Sequence, residues 1–257
     1  MRKLVCSFIL LSIIALTSCM SEPKPDETST CYKVGDKGPT GGYIFYDCDA
    51  DNTSGNADGL ISFDCGWRYL EAAPADLRVV NNVPTVDASA SGYSGAPECY
   101  VFGYYRLPGS GNLYVNGTQT LDSSCTKIAI GTGKTNTRLL VDAIGEEAFS
   151  DIDSSSSDKI GDYAARLCDV LIYTKNGRTY DDWFLPSAEE LNLLYTNLKM
   201  AGLGGFSTTN SYWASSECDG TANTARSQNF KVGAQGSNTR GTNEHGYLSI
   251  RPVRAFL

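Results

Sequence analysis

The 257-residue chain has one histidine, His245. A cluster of imidazole metal ligands, or a pair of catalytic histidines, cannot be built from one. None of its nine cysteines forms a C-x-x-C, which removes a zinc ribbon and a thioredoxin-type dithiol. Basic residues are also scarce. Lys+Arg 21 against Asp+Glu 29 leaves a formal net charge of −8 and no basic stripe to track a phosphate backbone, so nucleic acid is not an expected partner. No apolar run reaches the roughly 20 residues of a membrane-spanning helix. Charged residues make up only 19% of the chain against 41% hydrophobic and 11% aromatic, which excludes disorder throughout and supplies one sizeable core.

What is present begins at the N-terminus. Met1-Arg2-Lys3 is basic, and Leu4 to Leu16 is uncharged with Ser7 and Ser12 its only hydroxyl residues. That is the pattern of a signal-peptide core. Leu16-Thr17-Ser18-Cys19 follows, resembling the relaxed lipobox of bacterial lipoproteins. The expected organisation is a signal peptide over 1–18, a lipidated tether over 19–31 starting at Cys19, and one domain over 32–257. The alternative is an ordinary signal peptide cut nearby, with Cys19 incidental. Lipid on Cys19 would anchor the protein to the outer membrane, probing outward at the cell surface, with acyl chains as its whole membrane contact. Loss of Arg2 and Lys3 makes the mature chain two charges more negative, which favours no anionic lipid surface. Beyond Cys6 and Cys19, Cys48 and Cys65 border one loop and form the first candidate disulfide, although connectivity does not follow from sequence.

Along the domain, Gly41 to Tyr46 and Gly66 to Ala72 have the aromatic content and turn boundaries of strands, and Tyr100 to Tyr105 is strand-like. Helices are predicted over Thr137–Ile144, with Asn136 or Thr137 as its cap, Asp162–Tyr173 and Ser187–Lys199. The last opens with Ser187-x-x-Glu190, a capping box. Together these predict an α+β domain.

Three motifs invite chemistry. Gly131-Thr132-Gly133-Lys134-Thr135 is half of a phosphate loop, but Ile128 stands where the first glycine is needed, so a turn into a helix is expected. Asp47, Asp49, Asp51 and Asp58 have Ca²⁺-loop spacing, yet Asn52 replaces the turn glycine and the flanks look like strands. An exposed acidic hairpin loop is preferred there. His245 has no G-x-S-x-G partner motif. The expected site therefore has no catalytic residue, no metal and no cofactor.

The C-terminal segment is more informative. Between Cys218 and Ser249 Asn, Thr, Ser and Gly predominate, bracketed by Tyr212-Trp213-Ala214-Ser215-Ser216-Glu217 and by Ile250 to Phe256. Polar loops clamped by a rigid frame suit a binding face. Asp182-Trp183-Phe184-Leu185-Pro186-Ser187, Glu190-Leu191, Tyr212-Trp213-x-Ser215-Ser216-Glu217, Ala225, Gln228-x-Phe230, Gly233-x-Gln235 and Arg251-Pro252-Val253-Arg254 resemble a C-type-lectin-like domain of the formylglycine-generating-enzyme branch. Gly41 to Tyr46, Gly66 to Pro74 and Ile130 to Thr137 belong to the same pattern, so the resemblance spans about Tyr32 to Leu257.

The match is closest to the variable proteins of diversity-generating retroelements, in particular their variable lipoproteins. It implies an irregular fold with short helices and small antiparallel sheets, and a diversified ligand-binding segment over 212–257. Scaffold roles fall to Trp213, Ser215, Ser216, Glu217, Phe230, Arg251 and Arg254. Ligand-binding positions are drawn from Asp219, Thr221, Asn223, Arg226, Asn229, Thr239, Arg240, Thr242, Asn243, His245 and Tyr247. The ligand would be a protein or another cell-surface molecule. Catalytic members of the fold need late cysteines, and none follows Cys218, which argues against an enzyme. A cell-envelope enzyme on the same fold, or a structural lipoprotein with no diversified site, are the alternatives.

Overall fold

The computed structural model describes residues 31–51, 66–93, 98–103, 105–106, 112–145, 162–220, 222–240 and 248–257. It is a mixed α+β architecture of short helices and small antiparallel sheets.

Strand β1 (Tyr43–Asp47) leaves the Gly41-Gly42 turn, and β2 (Tyr69–Ala72) lies antiparallel to it. The turn needs glycine for space: a Cβ on Gly42 would sit 1.8 Å from the Ala72 carbonyl oxygen. Helical turn α1 (Cys48–Asp51) follows β1 directly. Hairpin β3 (Arg78–Val80) and β4 (Val83–Thr85), and the pair β5 (Tyr105–Arg106) and β6 (Asn112–Leu113), lead to α2 (Gly133–Ile144) and α3 (Ala164–Asp169). Hairpin β7 (Tyr173–Lys175) and β8 (Arg178–Tyr180) precedes α4 (Ala188–Leu193), which widens into a π-helix over Leu194–Lys199. The chain ends with β9 (Ser211–Glu217), β10 (Thr224–Asn229), β11 (Gln235–Thr239) and β12 (Val253–Phe256).

Two three-stranded sheets organise this order. The first runs β1-β2-β12, with Val253 opposite Ala72, so the last strand closes on the sheet that the first began. The second runs β11-β10-β9. Phe45, Leu70, Ala72 and Val253 of the first sheet share one apolar cluster with Tyr212 and Ala214 of the second. Trp213 belongs to a second cluster, where it packs edge-on to Phe102 with ring centroids 5.5 Å apart. Its indole N–H donates to the Tyr100 carbonyl at 2.8 Å, which satisfies the one polar atom the ring buries.

Several sequence expectations change in detail. Helix α2 starts four residues before Thr137, because Asn136 and Thr137 bond to other parts of the chain instead of capping their own helix. The Asn136 side-chain carbonyl accepts from the Lys127 N–H at 2.8 Å, and the Thr137 hydroxyl accepts from the Leu185 N–H at 3.0 Å. Helix α3 stops at Asp169; Leu171 is still buried, but through a turn onto β7 and not a further helical turn. Tyr100 and Val101 form isolated bridges to Leu248 and Tyr163, not a continuous strand. The capping box at Ser187 and Glu190 forms as read, and Leu191, Leu194 and Leu198 bury one face.

Candidate functional site

Polar residues of β9 are enclosed. The Ser215 N–H donates to the Pro186 carbonyl at 2.7 Å, and the Ser216 hydroxyl donates to the Lys127 carbonyl at 2.7 Å while accepting from the Ala188 N–H at 3.0 Å. Glu217 receives the Arg240 guanidinium at 2.6 Å and the Val115 N–H at 3.1 Å. These side chains are fixed before any ligand arrives, so they position their neighbours without offering contacts of their own.

Arg251 and Arg254 do similar work at the other end of the segment. The Arg251 guanidinium donates to Asp76 at 2.9 Å and to the Gly204 carbonyl at 2.7 Å, and lies 4.1 Å above the Phe206 ring. Arg254 grips both carboxylate oxygens of Asp182, at 2.9 and 3.1 Å, and reaches Glu71 at 3.4 Å. Burial raises the Glu71 carboxyl above its ordinary range, against the opposing pull of Thr40 and Arg254.

Outward from this frame the β-sheet register decides what is presented. Residues opposite one another in an antiparallel pair project to the same side. Thr224 pairs with Thr239, Arg226 with Ser237, and Gln228 with Gln235. A bulge in β9 opposite Arg226 re-aims that part of the sheet. Asp219, Asn223 and Thr239 are exposed, and Arg226 reaches Asp219 at 3.6 Å. These four gather where β9 turns into β10 and where β11 ends.

Two expected site residues are placed elsewhere. Arg240 is fully buried: besides Glu217 it donates to the Leu113 carbonyl at 3.1 Å and stacks over Phe102 and Tyr114. It is therefore a frame residue and not part of the exposed face, because its charge is satisfied inside. Asn229 sits at the far end of β10, where its side-chain carbonyl accepts from the N–H groups of Lys231 and Val232 at 2.9 and 3.2 Å and shapes the hairpin loop. Thr221, Thr242, Asn243, His245 and Tyr247 lie outside the described residues. Ser237, opposite Arg226 on the exposed edge strand, was missed; finding it needs the hairpin centre at Lys231 to Ala234, which polar composition does not reveal.

The tempting chemical motifs are already engaged. The backbone N–H groups of Gly131 and Gly133, which a phosphate loop would aim at phosphate, donate instead to Glu190 at 2.7 and 3.4 Å. A Cβ at Gly133 would meet the Glu190 carboxylate at 2.2 Å, so glycine is required there by this buried side chain. Burial pushes the Glu190 carboxyl up to about 7 despite those amides, but it has no exposed surface through which to exchange a proton with substrate. Asp47 ends β1 and is buried against Arg68, with Arg68 Nε at 3.0 Å, rather than lying in an exposed loop. Asp49 also contacts Arg68, at 3.1 Å, while Asp58 and Cys65 lie outside the described residues. Among the described residues no group of three or more His, Cys, Asp or Glu is placed to hold a metal ion. Cys168 is fully buried, and desolvation pushes its thiol well above the ordinary value, so it packs as a small neutral group.

Compared with known proteins, the chain matches no family model and no curated protein.

Proposed function

We propose that the chain is a lipid-anchored cell-surface binding protein, exposing a diversified ligand face on a C-type-lectin-like scaffold of the kind used by retroelement variable proteins. The observation that carries this reading is a division within one short segment. All seven residues given scaffold roles by the resemblance, Trp213, Ser215, Ser216, Glu217, Phe230, Arg251 and Arg254, are buried at 4% exposure or less. Asp219 and Asn223 in the β9–β10 turn and Thr239 at the end of β11, taken from the same polar stretch, are exposed. Exposed positions held by a rigid frame can change identity with little effect on folding, which is what a diversified site requires.

The lipid anchor rests on Cys19 and the apolar run before it. The ligand is a protein or another cell-surface molecule, and the surface side of the outer membrane is the expected location. Sequencing the 3′ end of the gene and its flanks tests the central part. The reading expects a near-copy differing at adenines beside a reverse-transcriptase gene, with changes in codons of the exposed positions. An isolated gene with no such copy contradicts it. Labelling with a clickable fatty acid should mark the protein and fail in Cys19→Ser; equal labelling of that variant would remove the anchor.

A further inference from the structure

Strand β11 is the outer edge of the sheet β11-β10-β9. Its inward side is fixed at both ends. The Ala234 carbonyl accepts from the Asn229 N–H at 2.9 Å, and the Arg240 N–H donates to the Asn223 carbonyl at 2.9 Å, with the β10–β11 register unbroken between them. In an antiparallel pair every second residue turns its backbone groups to the neighbour, so Gly236 and Asn238 face β10. The N–H and C=O of Gln235, Ser237 and Thr239 therefore point away from the sheet, and among the described residues nothing bonds them. All three residues are exposed. Such an edge is ordinarily guarded by lysine, proline or a bulge. Gln235-Gly236-Ser237-Asn238-Thr239 has no charge and no proline, and its pairing to β10 has no bulge.

A second feature adjoins this edge. The side chains of Gln235 and Ser237 share a face with those of Gln228 and Arg226. Gln228 donates to Asn192 of α4 at 2.9 Å, so that face looks onto α4. There a cavity of about 180 Å³ opens, lined by Ile128, Leu191 and Ala214 and by Gln235 and Gly236 of the edge strand. Ile128 is 49% exposed, which leaves an apolar wall in water.

We infer that β11 is a docking edge for an extended segment of a partner protein, which adds a strand to this sheet and places an aliphatic side chain in the adjoining cavity. The outward N–H and C=O groups recur about every 7 Å, the spacing of alternate residues in an extended chain, and another strand matches the whole row. A helix satisfies its own backbone groups and has none to offer along its length. The cavity then selects the side chain that falls on the α4 face of the added strand. A second copy of β11 would match the row equally well, but it carries no apolar residue and would leave Ile128 in water. The aliphatic wall therefore favours a different chain as the occupant. Only the choice of a protein partner rests on the proposed binding role; the free edge and its cavity do not depend on which positions are diversified.

Residue-resolved amide exchange of the full-length protein tests this. Alone, the protein should exchange the Gln235, Ser237 and Thr239 amides fast and the Gly236 and Asn238 amides slowly. A phage-displayed library of random peptides, long enough to pair with all of β11, should enrich sequences carrying an aliphatic residue. At saturation the synthetic peptides should slow the three outward amides by at least about tenfold. Ser237→Pro removes the central outward donor and no bond that β10 uses, and should weaken the peptides by about tenfold. Ile128→Asp, at the exposed cavity wall, should weaken them by a similar factor. Slow exchange at Gly236 and Asn238 in each variant verifies that the sheet is intact; either variant alone suffices if the other folds poorly. Outward amides already slow in the free protein, a library that enriches nothing, or bound peptides that leave those amides fast would overturn the docking edge. Protection that needs no peptide and grows with protein concentration would assign the edge to a second copy and overturn the partner. Peptides indifferent to Ile128→Asp would overturn the role of the cavity. Peptide protection in a protein whose gene lacks the adenine-variant copy would uphold the docking edge while the diversified-face reading falls; the converse pair of results would overturn the docking edge alone.

Discussion

The two three-stranded sheets use polar residues in opposite ways. In β1-β2-β12 every residue of β2 is buried, and charge enters as a closed set, Glu71 and Asp182 around Arg254. In β11-β10-β9 burial grades across the sheet: six of the seven residues of β9 are buried, β10 mixes buried and half-buried positions, and four of the five residues of β11 are exposed. The first sheet joins the first strand to the last; the second is anchored along one strand and open along another. Polar composition is therefore a poor guide to role. Ser215 and Ser237 are the same residue type, yet one is fixed inside the frame and the other stands at the edge.

The comparison can be broken most forcefully in the core behind β9. Trp213→Ala should cost roughly 3–5 kcal/mol in denaturant unfolding, since it removes a large buried ring. Arg254→Met in the first sheet should cost about 3–5 kcal/mol near neutral pH, because it strands Glu71 as a buried charge. Part of that loss should return in acid, where the Glu71 carboxyl, already raised by burial, takes up a proton and the stranded charge disappears.

Glu190 gives a pH test of the link between α2 and α4. Its folded pKa, raised to about 7 from 4.5, means that the folded protein holds this proton more tightly than the unfolded chain. The stability it contributes is fully present below about pH 4.5 and is lost as pH rises through 7, by roughly 3 kcal/mol. Unfolding free energy measured across that window should fall accordingly, and Glu190→Gln should flatten the trend. The smallest effects belong to the open edge: Asn223→Ala and Thr239→Ala should each change stability by no more than about 0.5 kcal/mol.

Much of this division is legible in the sequence. The capping box marked the start of α4 because both of its hydrogen bonds are local. The frame residues Trp213, Phe230, Arg251 and Arg254 were legible through the family-like motifs in which they sit. What was hidden depends on distant partners. Nothing near Arg240 in sequence announces Glu217, 23 positions away, so it looked like one more polar residue in an exposed stretch. The early start of α2 was hidden for the same reason, since Asn136 resembles a cap until Lys127 is placed beside it.

The most direct measurement compares two arginines of the C-terminal segment, Arg240 just after β11 and Arg226 on β10, each changed to methionine and followed by denaturant unfolding. Arg240→Met leaves Glu217 buried without its partner and should lose about 3–5 kcal/mol, whereas Arg226→Met, at a half-buried arginine whose ion pair with Asp219 is open to water, should lose no more than about 1 kcal/mol. Equal losses at the two positions would contradict the division into frame and face.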